Sequence, residues 1–125
     1  MDSTDWPPFA DLGFEFCRTH NRALSFQDLM YEIGVKGRPV AVSWELLNVH
    51  SQRTGLGHMA VAGGYLTNDY GDWLEIYDPG CGDAPPDPPA HPCGYRIMAF
   101  SANVSGTSGG GNHYVHWDDF YGIHR

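Results

Sequence analysis

Apolar positions along this chain change their period several times, and each change marks an element. From Leu24 to Ile33 the apolar residues Phe26, Leu29, Met30 and Ile33 recur at helical spacing. Ser25 stands where an N-cap belongs and Asp28 follows three residues on, a variant of the capping box. The pattern predicts a short helix that Gly34 or Gly37 ends. After Gly37-Arg38-Pro39, the run Val40-Ala41-Val42-Ser43-Trp44 predicts a short strand whose leading proline removes no ladder donor. Residues 45–57 are polar and glycine-bearing, which suits a loop. His58 to Leu66 is almost continuously apolar and predicts a strand buried on both faces. Asn68 to Asp72 predicts a turn, and Trp73 to Tyr77 alternates as a third strand. Asp78-Pro79-Gly80 stops it.

Pro79, Pro85, Pro86, Pro88, Pro89 and Pro92 are six of the nine prolines, so residues 79–94 form no regular element. Tyr95 to Phe100 predicts a fourth strand, Ser105 to Gly111 a flexible low-complexity loop, and His113 to Trp117 a fifth strand. Asp118 to Tyr121 is expected as a final turn or short helix. One helix followed by strands on short connections predicts an α+β domain: an antiparallel sheet of about five strands with one packed helix. It spans residues 24–125, behind an N-terminal segment, 1–23, in which Pro7-Pro8 opposes regular structure.

Composition narrows the function classes. At 125 residues, 42% hydrophobic and 14% aromatic, the chain has the material for one packed core. Seven Lys and Arg against a formal net charge of −8 leave no clustered basic surface for phosphates, so nucleic acid and anionic membranes are excluded as partners. No apolar run reaches the roughly 20 residues of a membrane span. The start, Met1 to Phe14, lacks the basic and apolar stretches of a secretory signal, so a cytoplasmic location is expected, with a secreted effector as the alternative. Cys81 and Cys93 bracket the proline-rich segment and can pair across it, yet three cysteines fit free thiols better.

The candidate chemistry lies at the ends of two predicted strands. A His opening one strand and an Asp closing its hairpin partner meet at one edge of an antiparallel sheet. There Asp78 can accept the Nδ1–H of His58, fixing its tautomer and leaving Nε2 as a general base. The bland alternative is that Asp78 serves the turn and His58 is solvated.

The segment from Leu24 to Pro79, with Trp117-Asp118-Asp119-Phe120-Tyr121 after it, resembles the C-terminal half of papain-like cysteine peptidases. The likeness is to the relatives of bacteriocin-exporter leader peptidases and to effector proteases of plant-pathogenic bacteria. Gly37-Arg38-Pro39-Val40, Gly57-His58-Met59, Gly64-Tyr65 and Asp78-Pro79 occur in the family's order. The resemblance implies thiol-dependent hydrolysis of a peptide or protein, His58 as base, Asp78 as its orienter, and no cofactor or metal. It also implies a nucleophilic Cys opening a long helix upstream, behind a Gln. No Gln…Cys-x-x-Trp pattern occurs before His58. The one thiol there, Cys17, is either a partly buried structural residue or the nucleophile of a shortened enzyme. Without the helical half, an apolar sheet face is expected to be open to a second copy or a partner chain. The non-enzymatic alternative is a remnant that serves as a binding or regulatory module.

Other residues give weaker leads. His113 and His116 stand three apart in a predicted strand, an odd separation that points them to opposite faces and away from a shared metal. His91, Cys81 and Cys93 lack the paired knuckles of a structural zinc site. Trp44 either lines the cleft beside His58 or belongs to the core. His20, His50 and His124 are expected in solvent.

Overall fold

The computed structural model describes residues 9–78, 94–107 and 113–125. Helix α1, Phe26–Met30, starts at Ser25, whose Oγ accepts the Asp28 N–H at 3.1 Å. One π-helical turn, Tyr31–Val35, extends it, and Gly37 reverses the chain at a φ of 67° that favours glycine. The strands are β1 (Glu15–Arg18), β2 (Val40–Leu47), β3 (Arg53–Asn68), β4 (Gly71–Tyr77), β5 (Arg96–Ala99), β6 (Ser105–Thr107) and β7 (His113–His124). A second short helix, α2 (Phe100–Val104), joins β5 to β6.

These strands form one antiparallel sheet in the order β1-β7-β2-β3-β4-β5, with β6 beside the start of β7. The α+β class and the antiparallel sheet are as expected; the described residues hold seven strands and two helices rather than about five and one. One face carries the core: Val40, Val42 and Trp44 of β2, Ala60 and Ala62 of β3, and Leu74 and Ile76 of β4. Leu24 and Leu29 close over it, with Phe26, Ile33 and Phe100 packed at its margin. Burying these side chains is the main favourable term, roughly 1.5–3 kcal/mol for each large one.

Several local expectations are corrected. Residues 45–57 are largely paired: β2 continues to Leu47 and β3 begins at Arg53. The strand buried on both faces is β2, which lies between β7 and β3; on β3, Ala60 and Ala62 are buried while Val61 is exposed. Asp118 to Tyr121 continues β7 instead of turning. Thr19 and Leu24 explain this, since their backbone groups hold Asp119 in place from far along the chain.

Two bulges set which side chains share a face. On β7, Asp119 pairs with Val42 and His116 with Trp44, so three steps on β7 match two on β2. On β3, Gly63 is extra between the pairs Ala62 with Ile76 and Gly64 with Glu75. The other face carries Val61, Tyr77, Tyr95 and Ile97, each more than a third exposed.

Candidate functional site

Three neighbouring strands build the site. Trp44 of β2 pairs with His58 of β3, and their rings stack 15° from parallel with centroids 6.3 Å apart. Asp78 directly follows β4. Because Val61 pairs with Tyr77, Asp78 lies on the diagonal from His58, within reach of a long side chain. His58 Nε2 stands 2.6 Å from Asp78 Oδ1. With the carboxylate ionised, Nε2–H donates and Nδ1 is the nitrogen left as base. This reverses the expected assignment of the two ring nitrogens while keeping the pair.

Asp78 is held firmly. Its N–H donates to the Gly94 carbonyl at 3.2 Å, and Arg96 Nη2 lies 3.9 Å from Oδ2. The Arg96 guanidinium also sits 5.8 Å from the centre of the Trp44 ring. The carboxylate is 12% exposed and the imidazole 45%, so a sheltered acid presents an accessible base. A groove of about 380 Å³ reaches His58 from the opposite face of the sheet to its ring, where Ser43, Met59, Trp117 and Phe120 project. Its walls are mostly apolar.

Cys17 is not part of this arrangement. It is exposed on β1, rather than partly buried, and β7 and β2 separate β1 from β3. Three inter-strand steps of about 4.8 Å separate the two across the sheet, and Cys17 pairs with Tyr121 whereas His58 shares a row with His116, so the gap exceeds roughly 14 Å. Among the described residues no thiol stands beside His58. Cys81, Cys93 and His91 lie outside the described residues.

A second His–Asp pair lies behind the first. His116 Nε2 is 2.5 Å from Asp119 Oδ1, and both side chains are fully buried. His116 Nδ1 faces the Asn103 carbonyl at 2.6 Å. Asp119 Oδ2 accepts the Leu24 N–H at 2.8 Å. Because each ring nitrogen of His116 meets an acceptor, the pair must hold two protons between them. Its net charge is zero whichever residue carries the shared proton, which suits its burial. The spacing from 116 to 119 gives no sign of this, since i and i+3 face apart in a regular strand; the β7 bulge brings them together.

The remaining histidines are separate. His113 Nδ1 meets Thr107 Oγ1 at 3.1 Å near the surface, and His124 pairs with Glu15 at 2.9 Å. Exposed His20 and His50 fit the expectation of solvated side chains. Among the described residues no cluster of three or more His, Cys, Asp or Glu side chains could hold a metal, and no helix is long and apolar enough to cross a membrane. No family model, curated protein or solved structure matches this chain.

Proposed function

We propose that this chain supplies the base-and-orienter half of a papain-like thiol peptidase site, with His58 as the general base and Asp78 as its orienter. The observation that carries this reading is the 2.6 Å bond from Asp78 to one ring nitrogen of a half-exposed His58, with Nδ1 left for a proton transfer. In the reaction, Nδ1 takes the proton of an incoming thiol, and the thiolate attacks a peptide carbonyl. Asp78 stabilises the imidazolium, which then protonates the leaving amine. Water, deprotonated by the same nitrogen, releases the acyl group from sulfur. The thiol comes from another chain or from residues outside those described.

The distance of Cys17 favours a second reading, a binding or regulatory module without chemistry. Labelling with iodoacetamide at about pH 6 separates the two, because an ordinary thiol of pKa about 8.5 is protonated and slow there. Each of Cys17, Cys81 and Cys93 is followed by peptide mapping in wild type and His58→Ala. One fast cysteine that slows in His58→Ala supports the peptidase reading and identifies the nucleophile within this chain. Slow labelling of all three, indifferent to His58, overturns a nucleophile within this chain and leaves a thiol from another chain or the module.

A further inference from the structure

We infer that the buried pair His116–Asp119 is a positioning device for His58, acting through Trp44. Trp44 Nε1–H donates to the Asn103 carbonyl at 3.1 Å. That same carbonyl accepts His116 Nδ1–H at 2.6 Å, so one oxygen ties the indole to the buried imidazole. His116 is fixed at its other nitrogen by Asp119, and Asp119 by the Leu24 N–H that precedes α1. The line therefore runs from the start of the helix, through Asp119, His116 and the Asn103 carbonyl, to the ring on which His58 stacks.

Each link has a physical reason to be stiff. Asp119 and His116 are almost wholly removed from solvent, so water cannot replace a broken bond between them. Trp44 is 6% exposed, and its single polar atom has one acceptor. Rotating the indole out of the stack leaves Nε1–H buried and unpaired, which is unfavourable. The His116 ring also meets Trp44 directly, edge to face, with centroids 6.5 Å apart. Among the described residues, the ring plane of His58, nearly half exposed, is fixed by the Asp78 bond and the Trp44 face. Without the platform it swings about that one bond.

The role of His58 as base rests on the function proposed above, but the platform does not. The test therefore reads geometry rather than catalysis. In the full chain, the ring-proton shifts of His58 are measured by NMR at one fixed pH. Trp44→Leu sets the zero of the indole ring-current displacement. His116→Phe and Asp119→Ala should each lose most of that displacement. Asp119→Asn should keep it: an amide donates Nδ2–H to His116 Nε2 and accepts Leu24 N–H at Oδ1, with the same proton count.

Glu32→Ala controls for general loosening. Glu32 Oε2 accepts the Gly122 N–H at 3.1 Å, a bond that involves none of Asp119, His116, Asn103 and Trp44. It should lower thermal stability and leave the His58 shifts in place. If His116→Phe folds and the shifts stay, or Glu32→Ala moves them equally, the positioning role is wrong. Should His116→Phe and Asp119→Ala both fail to fold, Trp44→Phe decides, since it keeps an aromatic face and loses only the anchor. The Trp44→Phe ring must then give His58 signals averaged between orientations; a single fixed orientation overturns the proposal. None of these outcomes bears on whether a thiol is activated, so the two proposals fail separately.

Discussion

Burial divides the polar residues of this chain by the state that each can support. Asp78 is sheltered between Arg96 and the half-exposed ring of His58. Asp119 is sealed with His116 and keeps its proton inside the pair. Tyr114 shows the same logic at a phenol. Its hydroxyl donates to the Ala102 carbonyl at 2.6 Å, and burial pushes its pKa above the ordinary value, against a smaller lowering by Arg96. The folded state thus favours the protonated phenol. The stability this contributes is complete below the unfolded value of about 10 and is lost as pH rises through the folded value. Thermal unfolding followed upward from about pH 9 should show a fall in wild type that is weaker in Tyr114→Phe. Near neutral pH, Tyr114→Phe should cost about 1 kcal/mol through the lost hydrogen bond. An equal alkaline fall in both proteins would place the titrating group elsewhere.

Among the elements, those with a long apolar pattern are legible in the sequence and those held by distant partners are not. The α1 cap, the start of β2 and the alternation of β4 follow from Ser25, from Val40 to Trp44 and from Trp73 to Tyr77. β1 is only four residues long, and α2 has no side-chain cap to announce it. The end of β7 looks like a turn because Asp118-Asp119 is polar. Its partners, Arg18, Asn21 and Leu24, lie more than 90 residues earlier and carry no local signal. The nearness of His58 and Asp78 follows from the hairpin, but His58 lies inside β3, which begins at Arg53, and not at the strand's start; which nitrogen faces the carboxylate depends on side-chain rotation and is not legible.

Glycines give a test at this scale. A Cβ on Gly57 would press into the Trp44 carbonyl and stand 2.9 Å from the Trp117 ring, where relief means parting β2 from β3. A Cβ on Gly64 would meet chiefly the Glu75 carboxylate, the far end of a flexible side chain. Gly57→Ala should therefore destabilise by about 2–3 kcal/mol or more, and Gly64→Ala by roughly 1 kcal/mol at most. Urea midpoints measure both, and a reversal of their order would contradict the β2–β3 contact at Gly57.

At the scale of the whole molecule, the first and last strands lock each other. Among the described residues β1 pairs only with β7, and β7 lies between β1 and β2. The segment ahead of residue 24 therefore brings more than a strand. Arg18 meets Asp118 at 2.6 Å, Thr19 exchanges backbone and side-chain bonds with Asp119, and Phe9 and Phe16 pack on Phe120. Deleting residues 1–23 would leave the Asp118 carboxylate, 6% exposed, without its guanidinium. Losing one partner of a largely buried pair costs about 3–5 kcal/mol, a large share of an ordinary domain's stability. The same deletion would uncover Phe120 and open the outer edge of β7 to pairing with other chains. The shortened chain should accordingly unfold at a much lower urea concentration and sediment as larger species than the full chain forms. Loss of stability without association would mean that β6 and the charged side chains shield that edge. An unchanged midpoint would mean that residues 1–23 are an appendage and that the sheet is closed without them.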